Sequence, residues 1–131
     1  MAPTMDQDGK AASWSEALGS LRESADLPGG AYYSPIIDVL LRLTEQGLDN
    51  LYYASLSHGR LGIGLKSNSF YGPYAMAAAT NSGLVDCELS VIGRDGQCRE
   101  VAARKSCTVS DAVETMTEYA GALPSLADTE A

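Results

Sequence analysis

The segment from Glu100 to Pro124 constrains the fold most, because it joins a strand-like stretch to a capped amphipathic helix. Thr108 and Asp111 have the spacing of a capping box, in which a hydroxyl and a carboxylate satisfy the free amides of the first helical turn. Apolar residues then recur at helical spacing and form one stripe: Val109, Ala112, Val113, Met116, Ala120 and Leu123. The sequence therefore predicts a helix that begins after Thr108, packs this stripe on a sheet and ends at Gly121 and Pro124.

Two more helices are predicted in the first third of the chain. Ser13 is a candidate N-cap for a helix over residues 14–24, and the small, polar residues 1–12 are expected to form a disordered N-terminal tail. A second helix is expected to begin at Ser34, an N-cap candidate followed by proline, and to end at Gly47. Its apolar residues cover a broad surface, so we expect it to be buried on much of its girth.

After residue 50 the apolar residues alternate with polar or small ones, which is the period of a β-strand. His58 and Gly59 have the composition of a hairpin turn, as do residues 94–97. Residues 70–80 favour a strand because of their aromatic start, although their alanines also suit a helix. The predicted strands span residues 51–57, 60–65, 70–80, 84–92 and 98–103, and Leu126 is a candidate start for a last short strand.

Consecutive strands joined by hairpins favour an antiparallel sheet with the helices segregated to one face. The predicted fold class is therefore α+β, with an antiparallel sheet of about four to five strands and helices packed on one face. Gly62 and Gly64 leave one face of the second strand bare, which suits a close neighbour: a helix, a bulge or a ligand. Residues 13–131 are assigned to a single domain.

The chain carries a formal net charge of -8 and has an isoelectric point near 4.4. Such a charge repels phosphate backbones, so it disfavours nucleic-acid binding, and it attracts basic partners. Solubility alone explains the acidity equally well. The N-terminus lacks the pattern of a signal peptide and no apolar run is long enough to span a bilayer, so we expect a cytoplasmic protein without a membrane partner.

The sequence offers little for catalysis or for a metal site. Cys87, Cys98 and Cys107 lack the spacing of a zinc site and are expected to be buried free thiols, with a Cys87–Cys98 bridge as the alternative. His58 is the one histidine of the chain and lies in a predicted turn. Because no nucleotide-binding or hydrolase motif accompanies it, we expect no enzyme activity, no metal and no cofactor.

Aromatic and acidic residues are the best candidates for contacts with a partner. The chain has seven tyrosines against one phenylalanine, and tyrosine is enriched at protein interfaces because it combines a large apolar area with a hydroxyl. Half-buried strand positions also favour tyrosine, and a solvated sheet face also accommodates charges. The candidate partner-binding residues are Tyr52, Tyr53, Tyr71, Tyr74, Asp86 and Glu88.

The run from Glu100 to Pro124 resembles the C-terminal part of the Imm1 family of bacterial immunity proteins. Family members typically combine a strand, a capped helix with an alanine near its start, and a Gly-x-x-Pro ending. The matching positions in this chain are Glu100-Val101, Thr108-Val109, Asp111-Ala112, Glu118-Tyr119 and Gly121-Ala122-Leu123-Pro124.

The resemblance implies an immunity protein, or antitoxin, of a polymorphic toxin system. Such a protein binds a cognate toxin domain, often a deaminase or a nuclease, blocks its active site and catalyses nothing. A toxin that acts on nucleic acid tends to be basic, which suits an acidic inhibitor. Two alternatives stay open: an acidic secretion chaperone or adaptor that binds a client as a homodimer, and an enzyme or ligand-binding domain that uses the surface of Gly62 and Gly64.

Overall fold

The computed structural model describes residues 2–92 and 99–130, which contain three α-helices and five β-strands. The helices are α1 (Ala2–Ala25), α2 (Ser34–Glu45) and α3 (Val109–Glu130). The strands are β1 (Tyr53–Ser57), β2 (Arg60–Gly64), β3 (Tyr74–Ala79), β4 (Val85–Ile92) and β5 (Arg99–Cys107). Within the described part of the chain, none of the helices is long and apolar enough to cross a membrane.

The strands form one antiparallel sheet in the order β1-β2-β3-β4-β5, so each strand pairs with its neighbours in the chain. α2 and α3 pack side by side, and α3 lies across β3 and β4. The predicted α+β class is therefore confirmed. Residues 70–80, for which the sequence favours a strand over a helix, contain the end of a 3₁₀ turn followed by β3. The predicted turn at 94–97 and Cys98 lie outside the described residues.

The hydrophobic core lies between the sheet and the helices. Ala75 and Ala77 of β3 and Cys87 of β4 are fully buried on the face of the sheet that the helices cover. The predicted apolar stripe of α3 packs against this face, and its first member, Val109, is half-buried. Its other five members are buried: Ala112, Val113, Met116, Ala120 and Leu123. The small side chains of β3 let the helix approach the sheet closely, and the helices thus pack on one face and along one edge.

α1 lies along the free edge of β1. Ser13 Oγ accepts a hydrogen bond from the backbone N–H of Ala54 at 2.9 Å, and Trp14 Nε1 donates to the carbonyl oxygen of Tyr52 at 2.9 Å. Ser13 thus hydrogen-bonds to the edge strand instead of capping a helix, and the predicted helix start was wrong. α1 begins at Ala2, so residues 2–12, expected as part of a disordered tail, are helical.

The predicted starts of the other two helices agree closely with the structure. The backbone N–H of Asp111 donates to Thr108 Oγ1 at 3.3 Å, as a capping residue requires. α2 begins with Ser34 in its first turn rather than at the cap, which is Tyr33. Gly47 follows α2 in the left-handed conformation, with a φ of 85°, and this geometry confirms the predicted end of that helix.

The predicted end of α3 was wrong. The helix continues through Gly121 and Pro124 to Glu130, so the short strand proposed from Leu126 is helical as well. Leu123 is fully buried and Leu126 is half-buried against the core. These contacts extend the apolar stripe by another turn, and tertiary packing of such a stripe outweighs the local preference of proline and glycine for a break.

Candidate functional site

The bare face that two glycines leave on β2 is filled by the chain itself. A Cβ atom on Gly62 would lie 2.6 Å from Cζ of Phe70, and one on Gly64 would lie 2.8 Å from the carbonyl oxygen of Ser69. Phe70 in turn meets Tyr74 edge to face, with ring centroids 4.8 Å apart. The close neighbour that the sequence predicted is therefore the 3₁₀ turn at Ser69–Tyr71. This turn covers the surface of Gly62 and Gly64, which the enzyme or ligand-binding alternative would have used.

Next to this turn, the sheet face opposite the helices carries a depression of about 750 Å³, called here the groove. Met76 and Ala78 of β3 contribute apolar lining. Arg60 lines it from β2, Asp86 and Glu88 from β4, and Arg104 from β5, all at positions that point away from the helices. The groove therefore combines an apolar centre with charges of both signs.

The two candidate carboxylates of β4 lie in this groove, but they do not make it acidic. Arg104 donates from Nε to Oε1 of Glu88 at 3.0 Å, and a second guanidinium nitrogen contacts the same oxygen. This hydrogen bond and the charge of Glu88 raise the pKa of Arg104. Arg60 and Lys105 also line the groove, so its cations are not outnumbered by its two carboxylates.

The four candidate tyrosines lie in different surroundings. Tyr52 packs partly against the core, and this burial raises its pKa. Tyr53 lies under the ammonium group of Lys10, whose Nζ is 5.8 Å from the ring centroid. Tyr74 contacts Phe70, whereas Tyr71 is 71% exposed. The structure does not bring these four side chains together, and their role in partner binding stays a prediction.

Two other tyrosines line the end of the groove. Tyr32 donates from its hydroxyl to the carbonyl oxygen of Ala79 at 2.6 Å, and its ring meets that of Tyr33 edge to face at 5.2 Å. Tyr33 contacts the β1–β2 turn so closely that a Cβ atom on Gly59 would lie 2.6 Å from its ring. The adjacent aromatic pair was visible in the sequence, but its position beside the sheet depends on how the chain returns from α1.

Charge is segregated between the two layers of the fold. Residues 51–107, which contain the whole sheet, have six Lys or Arg and four Asp or Glu, a net charge of +2. The remaining residues, which contain the three helices, have three and thirteen, a net charge of -10. The acidity of the chain therefore belongs to its helices, and the sheet is nearly balanced.

The remaining candidates for chemistry are one histidine and two cysteines. His58 is exposed in the β1–β2 turn, with a φ of 54°. Cys87 and Cys107 are buried free thiols, and burial, followed by the neighbouring Cys107, raises the pKa of Cys87 to about 12. Among the described residues, no group of three or more His, Cys, Asp or Glu side chains could hold a metal ion.

Comparisons with known proteins leave the site to be interpreted from its own geometry. No protein-family model matches the chain, no curated protein matches it, and no solved structure matches it.

Proposed function

We propose that this protein binds and neutralises a basic partner protein in the bacterial cytoplasm, as an immunity protein neutralises its cognate toxin, and that it catalyses nothing itself. The segregation of charge carries this proposal: the segments outside residues 51–107 have a net charge of -10, and exposed carboxylates of α2 and α3 contribute to it. A partner whose active site binds nucleic acid presents a basic cleft, which is complementary in charge.

The docking surface in this proposal is the outer side of α2 and α3, called here the acidic helical surface. Among the side chains that the structure describes, it carries five exposed carboxylates and one exposed cation, Arg42. The carboxylates are Asp38, Glu45, Asp111, Glu114 and Glu118. Arg42 donates to Ser110 Oγ at 3.2 Å and Thr117 donates to the side chain of Gln46 at 3.2 Å, so hydrogen bonds link the two helices that carry these charges.

Electrostatic attraction of this kind acts first on the rate of association. Complementary charge can raise association rate constants to about 10⁸–10⁹ M⁻¹s⁻¹ at low salt, and the effect weakens when ions screen the charges. An acidic surface seated over a basic active site then excludes the substrate by occupying its place. Inhibition by occlusion needs neither a cofactor nor a nucleophile in the inhibitor.

Co-expression with the product of the neighbouring reading frame tests this function. We expect growth to be rescued and a 1:1 complex to elute on gel filtration at micromolar concentration. Replacement of Glu114 and Glu118 by Lys should weaken the complex and reduce the rescue of growth. The matched control replaces Glu16 and Glu23 of α1, also exposed, by Lys, and changes the net charge equally. No rescue and no complex for the wild-type chain would refute the proposal.

A secretion chaperone or adaptor is the second candidate. The open groove favours it, because charges of both signs on one face suit contact between two copies, and such chaperones usually act as homodimers. A chaperone binds an extended segment of its client, whereas an immunity protein binds a folded toxin domain. Limited proteolysis of the partner, with and without this protein, separates the two functions. An extended client segment is cut once the chaperone is removed, whereas a folded toxin domain stays resistant.

A further inference from the structure

Opposite charges face each other across the groove without forming an ion pair. Leu61 of β2 pairs with Ala77 of β3, and Ala78 of β3 pairs with Asp86 of β4. Arg60 therefore lies one strand away from Ala78 on one side, and Asp86 lies one strand away on the other. The strand spacing places their backbones about 10 Å apart. Among the residues that the structure describes, no salt bridge includes either Arg60 or Asp86.

This arrangement is complementary to itself. A two-fold axis that runs parallel to β3, above the groove face and between the two sheets, carries Arg60 of a second copy over Asp86 of the first, and Asp86 of the second over Arg60 of the first. Met76 and Ala78, beside the axis, then meet their own counterparts. Isologous contacts of this kind are the usual way in which identical chains form dimers. The depression beside Ala78 gives the incoming Arg60 side chain a place to enter.

The distribution of charge favours the same contact. Two copies with a net charge of -8 repel each other, and the repulsion is strongest where the helical segments approach. Contact through the sheet faces places the two acidic helical layers at opposite ends of the pair. The sheet segment, with its net charge of +2, is the part of the chain that a second copy can approach at the lowest electrostatic cost.

We infer that two copies of this chain associate through the groove faces of their sheets, with reciprocal Arg60–Asp86 ion pairs. The part of the face beyond the Ser69–Tyr71 turn is about 24 Å wide and about 14 Å long from strand spacing and rise. Such a small area is typical of weak, transient contacts, so the dimer is expected to be weak and reversible. The acidic helical surfaces stay free on both copies, and the inference does not depend on the proposed function.

Sedimentation velocity of the purified chain between about 5 and about 200 μM tests the inference. The wild-type chain should pass from monomer to dimer in this range. Arg60→Glu alone and Asp86→Arg alone should each weaken the dimer by about tenfold or more, because each places like charges across the contact. The double variant restores opposite charges and should regain the wild-type affinity.

Two matched variants on the helices provide the control. Arg42→Glu and Asp111→Arg alter the net charge by the same amounts but lie on α2 and α3, so they should leave the dimer unchanged. Circular dichroism melting shows whether each variant is folded. A wild-type chain that stays monomeric at about 200 μM would overturn the inference, as would a dimer insensitive to both single variants or a folded double variant that stays monomeric. Such results would leave partner neutralisation standing, and failure of the co-expression test would leave the dimer standing.

Discussion

Ser13 Oγ lies 2.9 Å from the backbone nitrogen of Ala54 and accepts its hydrogen bond, so a helix side chain replaces the missing neighbour of an edge strand. The same hydroxyl donates to the carbonyl oxygen of Lys10 at 2.6 Å. An uncovered strand edge is a template for pairing with other chains, and covering it with a helix is one of the ways in which proteins prevent aggregation. α1 therefore satisfies one edge N–H of β1 and covers that part of the strand.

Ser13→Ala should lower the free energy of unfolding by about 1 kcal/mol, because the Ala54 N–H loses its acceptor at a partly buried position. Urea denaturation measures this change. Ser15→Ala is the control, since Ser15 is exposed on the same helix and should change stability by less than about 0.5 kcal/mol. Equal effects of the two substitutions would show that the contact contributes nothing specific.

Gly62→Ala should destabilise the protein by about 1 to 3 kcal/mol, because the new methyl group would lie 2.6 Å from the ring of Phe70 and force it to move. Thermal and urea unfolding both report this loss. Gly19→Ala is the matched control: nothing lies within 4 Å of its Cβ position in α1, and it should stabilise the helix by about 0.5 to 1 kcal/mol. A neutral Gly62→Ala variant would mean that the turn does not press on β2.

Met116→Ala should lower stability by about 2 to 5 kcal/mol, since Met116 is fully buried between α3 and the sheet and its truncation leaves a cavity. Glu118→Ala, two residues along on the exposed side of α3, should have little effect. Chemical denaturation of the pair gives the comparison. An unchanged unfolding midpoint for Met116→Ala would remove α3 from the core.

Stability should decline in alkaline solution partly because of Cys87. Burial raises the pKa of its thiol from 9.0 to about 12, so the native state holds this proton where the unfolded state releases it. The unfolded state then binds fewer protons above pH 9, and the free energy of unfolding falls as pH rises from 9 toward 12. Below pH 9 this contribution is complete and constant.

Unfolding curves between pH 8 and pH 10, compared for the wild type and Cys87→Ala, check this prediction. The variant should lose some stability at every pH but show a shallower decline above pH 9. The comparison stops near pH 10, because burial also raises the pKa of Tyr52 and Tyr119 from 10.0 and these residues contribute above that value. Parallel pH profiles for the two proteins would contradict the assignment.

Local patterns predicted the elements whose ends depend on nearby residues. The hydroxyl of Thr108 caps α3 as its spacing required, and Gly47 ends α2 because its φ of 85° suits glycine. Local sequence patterns failed to predict the end of a helix where contacts with residues distant in the chain determine it. Pro124 breaks a helix by local rules, yet the burial of Leu123 and Leu126 carries α3 past it.

The candidate site was predictable in part for the same reason. The spacing of Asp86 and Glu88 placed both on one face of a strand, and the structure confirms that they share the groove. The ion pair of Glu88 with Arg104 depends on strand order and register, which set cross-strand neighbours and are not encoded in spacing along one strand. Likewise, Tyr32 reaches the groove through a contact with Ala79, 47 residues later in the chain.

The contact between Trp14 and Tyr52 gives the molecule a built-in optical probe. Trp14 is the one tryptophan of the chain, it is 2% exposed, and its indole N–H bonds to the strand edge that α1 covers. Its fluorescence therefore reports the exposure of the α1 face that packs on the core and on the edge of the sheet. Quenching by acrylamide would follow the opening of this edge without any label, and emission that shifts to longer wavelength before the far-ultraviolet signal of the sheet is lost would reveal that the helix detaches first.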